Sequence, residues 1–268
     1  MNVLRLVGRV AVPLLAAAAI AGAYYYENPA PCATPIAYSL GTFDTRFGES
    51  KADFLAAVSA AAKLWDDAAG RQLFAYAPDG SLKINLIYDT RQQTTNLGKT
   101  ISEEQAAYDA KKAALDAQKA SYDAELSQYE AQVSYWNAQG GAPKSAYDAL
   151  QAERQKLDGE LASINANVDA LNALAANTNV QVGSYNATAG TDFNEGEYIR
   201  DSAGTRINVY QFESRAKLER VLAHELGHAL GLEHNQDPNA IMYAYNEGSA
   251  EKLTAADIAE LKALCKLN

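Results

Sequence analysis

The chain has 268 residues, 48% of them hydrophobic, enough to bury a sizeable core in one large domain or two smaller ones. Its 33 acidic residues outnumber its 23 basic ones for a net charge of −10, which repels phosphate backbones and argues against nucleic acid as a partner.

At the N-terminus Arg5 and Arg9 precede a mostly apolar run from Val10 to Ala23, with small residues at Ala21-Gly22-Ala23 before Tyr24. That is the layout of an export signal, and the run is short for a spanning helix. The alternative is an uncleaved anchor over residues 4–26, because Leu4 to Val7 lengthen the apolar stretch and Tyr24, Tyr25 and Tyr26 suit a membrane interface. Either way, residues 1–31 are an export signal or tether, and the remainder of the chain is expected outside the cytoplasm, secreted or periplasmic. The two cysteines, Cys32 and Cys265, stand near opposite ends of the exported part. An even pair in an oxidising compartment suggests one disulfide. Two buried thiols, or Cys32 as a metal ligand, are the other readings.

Residues 32–100 read as the first part of a mixed domain. Phe54, Ala57, Val58, Ala61, Leu64 and Trp65 recur on one face of a helix from Asp53 to Ala69, and Leu82 to Tyr88 alternates as a strand. Over residues 101–178 the composition turns to Ala, Gln, Asp, Glu and Lys. Ile101, Tyr108, Leu115, Tyr122, Tyr129 and Trp136 fall seven apart, joined by Leu126 and Val133. A second series, Tyr147, Leu150, Arg154, Leu157, Leu161, Ile164, Val168 and Leu171, steps alternately by three and four. Gly140-Gly141-Ala142-Pro143 separates the two series, so an antiparallel helical hairpin is expected. Arms of roughly 35 residues would make it on the order of 50 Å long. Residues 179–268 return to mixed texture, with a strand from Arg206 to Phe212 and a helix from Ser214 to Leu230. A last helix runs from Thr254 to Leu267, with Thr254 as N-cap before Asp257. Neither flank makes a complete domain, so the hairpin reads as an insertion into one.

All three histidines fall in one stretch, His224, His228 and His234. His224 and His228 are four apart and share a helix face, Gly231 allows the chain to turn back, and His234 returns as a third ligand. Three neutral imidazoles with a fourth position open to water are the arrangement of catalytic zinc. Zinc would acidify that water, and Glu225, beside the first ligand, would act as general base in peptide hydrolysis. Histidines that merely pack on an amphipathic helix, or a regulatory zinc site, are the competing readings; neither explains Glu225.

The stretch His224-Glu225-Leu226-Gly227-His228-Ala229-Leu230-Gly231-Leu232-Glu233-His234 resembles the metzincin zinc signature. Met242, eight residues after His234, resembles the Met-turn of matrixins, the family of the matrix metalloproteases. Astacins and serralysins place a tyrosine two residues after that methionine; Ala244 stands there, which disfavours an astacin- or serralysin-like metzincin. Ile36-Ala37-Tyr38-Ser39, Phe43-Asp44-Thr45-Arg46-Phe47, Ala62 with Trp65, and Leu253 to Ile258 look like further pieces of a matrixin domain.

The resemblance implies an α+β fold: a twisted mixed sheet above the active-site helix, here interrupted by the hairpin, with a substrate strand adding to the sheet edge. It implies one catalytic zinc, a hydrophobic floor at Met242, and chain ends close together, which supports pairing Cys32 with Cys265. Tyr243 and Tyr245 are candidates to line the cleft. The chain departs from the family at Asn235, where serine is common, and at Ala244, where proline is common, so the wall of the specificity pocket cannot be carried over. No histidine remains for a second, structural zinc, and calcium is left unassigned. Cys32 is a poor match to a cysteine-switch propeptide. The expectation is an exported zinc endopeptidase acting on protein or peptide substrates. The alternative from another class is an interaction protein that works through its hairpin, docking a protein partner, with the protease fold as scaffold.

Overall fold

The computed structural model describes residues 32–189, 194–245 and 252–267; the expected export or anchor segment lies outside the described residues. No helix among the described residues is long and apolar enough to cross a membrane. The chain divides into two compact units, one made of the flanks up to residue 92 and from residue 193, the other of residues 93–192.

The flanking unit is α+β. Its five strands, β1 (Ile36–Phe43), β2 (Phe74–Tyr76), β3 (Leu82–Leu86), β4 (Gly196–Asp201) and β5 (Gly204–Val209), lie in the order β2-β1-β3-β5-β4. All pairings are parallel except β4 with β5, which leaves β4 as an antiparallel edge strand. Strand alternation sends Leu82, Ile84 and Leu86 to the helix side, where they are buried beside Ile207 and Val209. On the opposite side Asn85 and Asn208, cross-strand partners, bond to each other at 2.8 Å and so satisfy their buried amides.

Helix α1 (Lys51–Ala69) is capped by Ser50, whose side chain accepts from the Asp53 N–H, and ends at Gly70 in the left-handed conformation. Its buried face is the one its periodicity predicts: Phe54, Ala57, Val58, Ala61 and Trp65 are fully buried. The Trp65 indole donates at 2.8 Å to the Ala223 carbonyl, which ties α1 to the helix of the histidines, α4 (Arg215–Leu230). The last helix, α5 (Ala255–Cys265), is held by a reciprocal capping box between Thr254 and Asp257. Its final residue, Cys265, is disulfide-bonded to Cys32, with Cα atoms 5.4 Å apart.

The second unit is the antiparallel hairpin, and its helices are longer than the heptads indicate. They are α2 (Thr90–Ala138) and α3 (Lys144–Thr188), 49 and 45 residues instead of roughly 35. The extra turns escape a periodicity reading because residues 90–100 are polar apart from Leu97. Gln92 explains why α2 starts so early: its side chain accepts from the Phe212 N–H at 2.9 Å and donates to the Phe212 carbonyl at 3.1 Å, as a neighbouring strand would.

The hairpin seam is also narrower than expected. Leu157, Ile164, Leu171 and Thr178 are buried at strict intervals of seven, and Leu115 faces them with Tyr108 and Tyr122. Tyr147, Arg154 and Leu161, expected in the seam, lie outside it, Leu161 with 41% of its surface exposed. Two helices alone offer each other a single contact strip, so the second heptad position stays at the solvent edge at Tyr147, Arg154 and Leu161 and packs in only at Val168. Register is set by polar contacts: Glu104 accepts from Thr178 at 2.7 Å and Gln181 at 2.8 Å, and Lys156 pairs with Glu125.

Replacing both cysteines by serine is expected to lower the unfolding free energy of the flanking unit by about 2–5 kcal/mol. Urea titration reads the effect; identical midpoints for parent and variant would mean the bond carries no stability.

Candidate metal centre

The site is built on α4, the helix that precedes the bend at Gly231. Ser214 caps its N-terminus by accepting from the Lys217 N–H. Leu218, Leu222 and Leu226 bury one face in the core, which leaves His224 and His228 on another. Gly231 ends the helix at φ 102°, a conformation that favours glycine. The Leu232 N–H reaches the Gly227 carbonyl and the Gly231 N–H the His228 carbonyl, both at 3.0 Å, which closes a Schellman turn. The chain then doubles back and delivers His234.

The three expected ligands meet. Their Nε2 atoms are 3.1 Å apart for His224 and His228, and 3.2 Å for each of these with His234. Two nitrogens held by one tetrahedral zinc at about 2.0–2.1 Å lie about 3.3–3.4 Å apart, so the spacing fits that ion. The chemistry of the donors agrees. The His224 Nδ1 lies 2.7 Å from the Ile241 carbonyl and the His228 Nδ1 2.9 Å from the Leu232 carbonyl. A carbonyl only accepts, so both Nδ1 atoms carry the proton and both Nε2 atoms present lone pairs to the centre. Burial holds the His224 pKa down to about 4 despite the Ile241 bond, and burial lowers that of His228 too. Both imidazoles are therefore neutral near pH 7, as metal ligation requires.

Glu225 is buried beneath the edge strand β4 and accepts from the Tyr198 backbone N–H. Burial pushes its carboxyl up to about 7, opposed by the Tyr198 N–H and reinforced by the charge of Glu197. Neither β4 nor these contacts were expected from the sequence. Its residues Gly196-Glu197-Tyr198-Ile199-Arg200-Asp201 carry no run of apolar alternation.

Met242 is fully buried under α4, close enough that a Cβ on Gly227 would lie 2.3 Å from its sulfur. Asp257, which the sequence reading places only in the first turn after the Thr254 cap, does more. This buried carboxylate accepts from the backbone N–H groups of Ile241 at 2.9 Å and Met242 at 3.0 Å, and from the Asn235 side chain at 3.2 Å. It thereby fixes the turn whose Ile241 carbonyl orients His224. Asn235, the departure from serine, joins that network, and its own N–H donates to the Met242 carbonyl at 2.9 Å. Arg220, one turn before His224 and also buried, donates to the Ala240 carbonyl at 2.7 Å. Tyr243 is half-buried and Tyr245 exposed, their rings packed edge to face at 5.8 Å.

The family model described as matrixin, peptidase M10, matches residues 33–266. The chain belongs to the matrixin family. The matched span contains both flanks and the hairpin between them. A second comparison finds the matrilysin of Felis catus, 39% identical over 75 residues. That alignment covers 27% of this chain and 25% of the cat protein. Membership of the matrixins implies a zinc metallopeptidase, and the cluster of His224, His228 and His234 fits its zinc site.

Substituting Asp257 by Ala leaves the buried N–H groups of Ile241 and Met242 without an acceptor, at a cost of about 3–5 kcal/mol. Zinc affinity should fall about 10–100-fold as His224 loses its support. Competition with a chromogenic chelator measures the second effect; unchanged affinity in a folded variant would refute this role.

Proposed function

We propose that this matrixin is an exported zinc-dependent endopeptidase that cleaves protein or peptide substrates. The observation that carries the reading is the convergence of three imidazole nitrogens beside a buried carboxylate with a raised pKa. His224, His228 and His234 would hold the ion. Zinc bound there supplies a Lewis acid that polarises the scissile carbonyl and acidifies a water.

Glu225 acts as the general base. A carboxyl with a pKa near 7 accepts a proton at one Oε as the water attacks, and gives it up again to the departing amine. Both transfers run at neutral pH with little thermodynamic penalty. The edge strand β4 offers unpaired backbone groups to an extended peptide, which would align the scissile bond along the cleft by adding a strand. Met242, whose side chain is fully buried, would form an apolar floor beneath the ligands. Export rests on the N-terminal pattern and on the Cys32–Cys265 bond, a feature of oxidising compartments.

A second reading is favoured by the size of the inserted unit: the hairpin docks a protein partner or the substrate. Its tip, residues 131–143, carries no charged side chain, whereas the arms are densely charged, and Tyr135 and Tyr147 are exposed at 57% and 55%.

Glu225→Ala is expected to retain one zinc per chain and to cleave an unfolded protein about 10²–10⁴-fold more slowly. A zinc-loaded variant that digests as fast as the parent would eliminate the mechanism. Replacing residues 101–177 by a short linker should leave turnover of a small peptide unchanged and slow cleavage of the physiological protein. Equal rates on both substrates would remove any recognition role from the hairpin.

A further inference from the structure

The contact between β4 and α4 is unusually close at one point. Gly196, the first residue of β4, sits directly over the middle of α4. A Cβ placed there would lie 2.7 Å from Val221 Cγ1, 3.0 Å from Glu225 Cγ and 3.1 Å from Glu225 Oε1. Side-chain carbons in packed proteins stay beyond about 3.4 Å and gain their attraction at 3.5–4.0 Å. Any side chain at 196 would therefore have to lift the strand or displace Val221 and the Glu225 side chain. The backbone of Gly196 carries no strain that would call for glycine, since it is absent from the positive-φ positions. Space is what the position requires.

The neighbouring geometry shows what that space serves. Two residues along, on the same edge strand, the Tyr198 N–H is the donor that Glu225 accepts from. Gly196 pairs with Val209 and Tyr198 with Ile207, so the strand's distance from β5 is set by the sheet ladder. Its height above α4 is set by what lies beneath residue 196. We propose that Gly196 is a positioning residue for Glu225: by presenting no side chain, it lets β4 settle onto α4 and holds the carboxylate on the Tyr198 N–H. The clamp is a property of this chain's own residues and needs no metal. Its consequence for turnover rests on the reading of Glu225 as general base.

The structural half is tested first, in the folded protein without substrate, by amide hydrogen exchange. In the parent the Tyr198 amide exchanges slowly, protected by Glu225. In Gly196→Ala and, independently, in Glu225→Ala it exchanges at least tenfold faster, while the amides of β5 keep their rates. A Tyr198 amide that keeps the parental rate in either variant overturns the clamp. Glu225→Ala tests the bond to the Tyr198 N–H by itself; where Gly196→Ala folds poorly, the Gly196→Ala/Val221→Ala pair carries the test of residue 196, and a parental Tyr198 exchange rate in that folded pair overturns its role.

The functional half is read from steady-state kinetics with a peptide substrate. Gly196→Ala lowers kcat roughly 10–100-fold, as expected for displacement of a catalytic group by a fraction of an ångström to one ångström. KM stays within about twofold and the zinc content is unchanged. Adding Val221→Ala removes the nearest obstructing atom and restores part of the lost kcat. A parental kcat in Gly196→Ala, or a loss confined to KM or to zinc content, contradicts the positioning role. A parent that binds zinc and cleaves nothing contradicts the peptidase reading instead, and leaves the exchange result to decide the clamp.

Discussion

Three imidazole nitrogens face one another, and the flanking unit holds two of them so that their lone pairs point at the centre. Two backbone carbonyls, Ile241 from the turn after the third histidine and Leu232 from the loop before it, pin the Nδ1 protons of His224 and His228. Such an arrangement of acceptors is unfavourable by itself and is resolved by a cation. The elements around the site can be understood as supports for it. The left-handed Gly231 bends the chain, the turn through Ile241 and Met242 supplies a carbonyl and a fully buried methionine, and Asp257 holds that turn by its N–H groups.

The support continues outward through named contacts. Asp257 belongs to the last helix, and that helix ends in Cys265, so the disulfide to Cys32 fastens the turn's anchor to the start of the catalytic unit. Trp65 reaches across from the first helix to the Ala223 carbonyl, next to His224. A helix carrying ligands at positions four apart stays in register only if it neither slides nor rolls. The core face of Leu218, Leu222 and Leu226 resists the first, and the indole bond resists the second.

The parts of this arrangement that could be read from the sequence are those with a repeating signal. Phe54 to Trp65 and Leu82 to Leu86 bury the faces that their periods of 3.6 and 2 select, and the ligand spacing from His224 to His234 is a geometric statement in itself. What could not be read depends on single residues whose role appears only in three dimensions. The strand Gly196–Asp201 has no apolar alternation because it lies at an edge, yet it covers Glu225. Asp257 reads only as a first-turn residue after the Thr254 cap, and only the fold shows that its two oxygens hold the Met242 turn. In the hairpin, heptad positions such as Leu161 appeared apolar on both sides of the seam, but one partner helix can bury only one of them.

Helix α2 starts just past the sheet: beyond the end of β5, Gln92 bonds both backbone groups of Phe212 as a strand would. The flanking unit can therefore carry a long insertion without a break in its sheet, and the three histidines and Glu225 all lie in that unit. All of these supports have a purpose only if one zinc sits among His224, His228 and His234. Zinc-edge X-ray absorption on the purified protein tests that most directly. The expected result is one zinc per chain with three nitrogen scatterers at about 2.0–2.1 Å and no sulfur. A sulfur scatterer, or a spectrum unaltered by His234→Ala, would contradict the account.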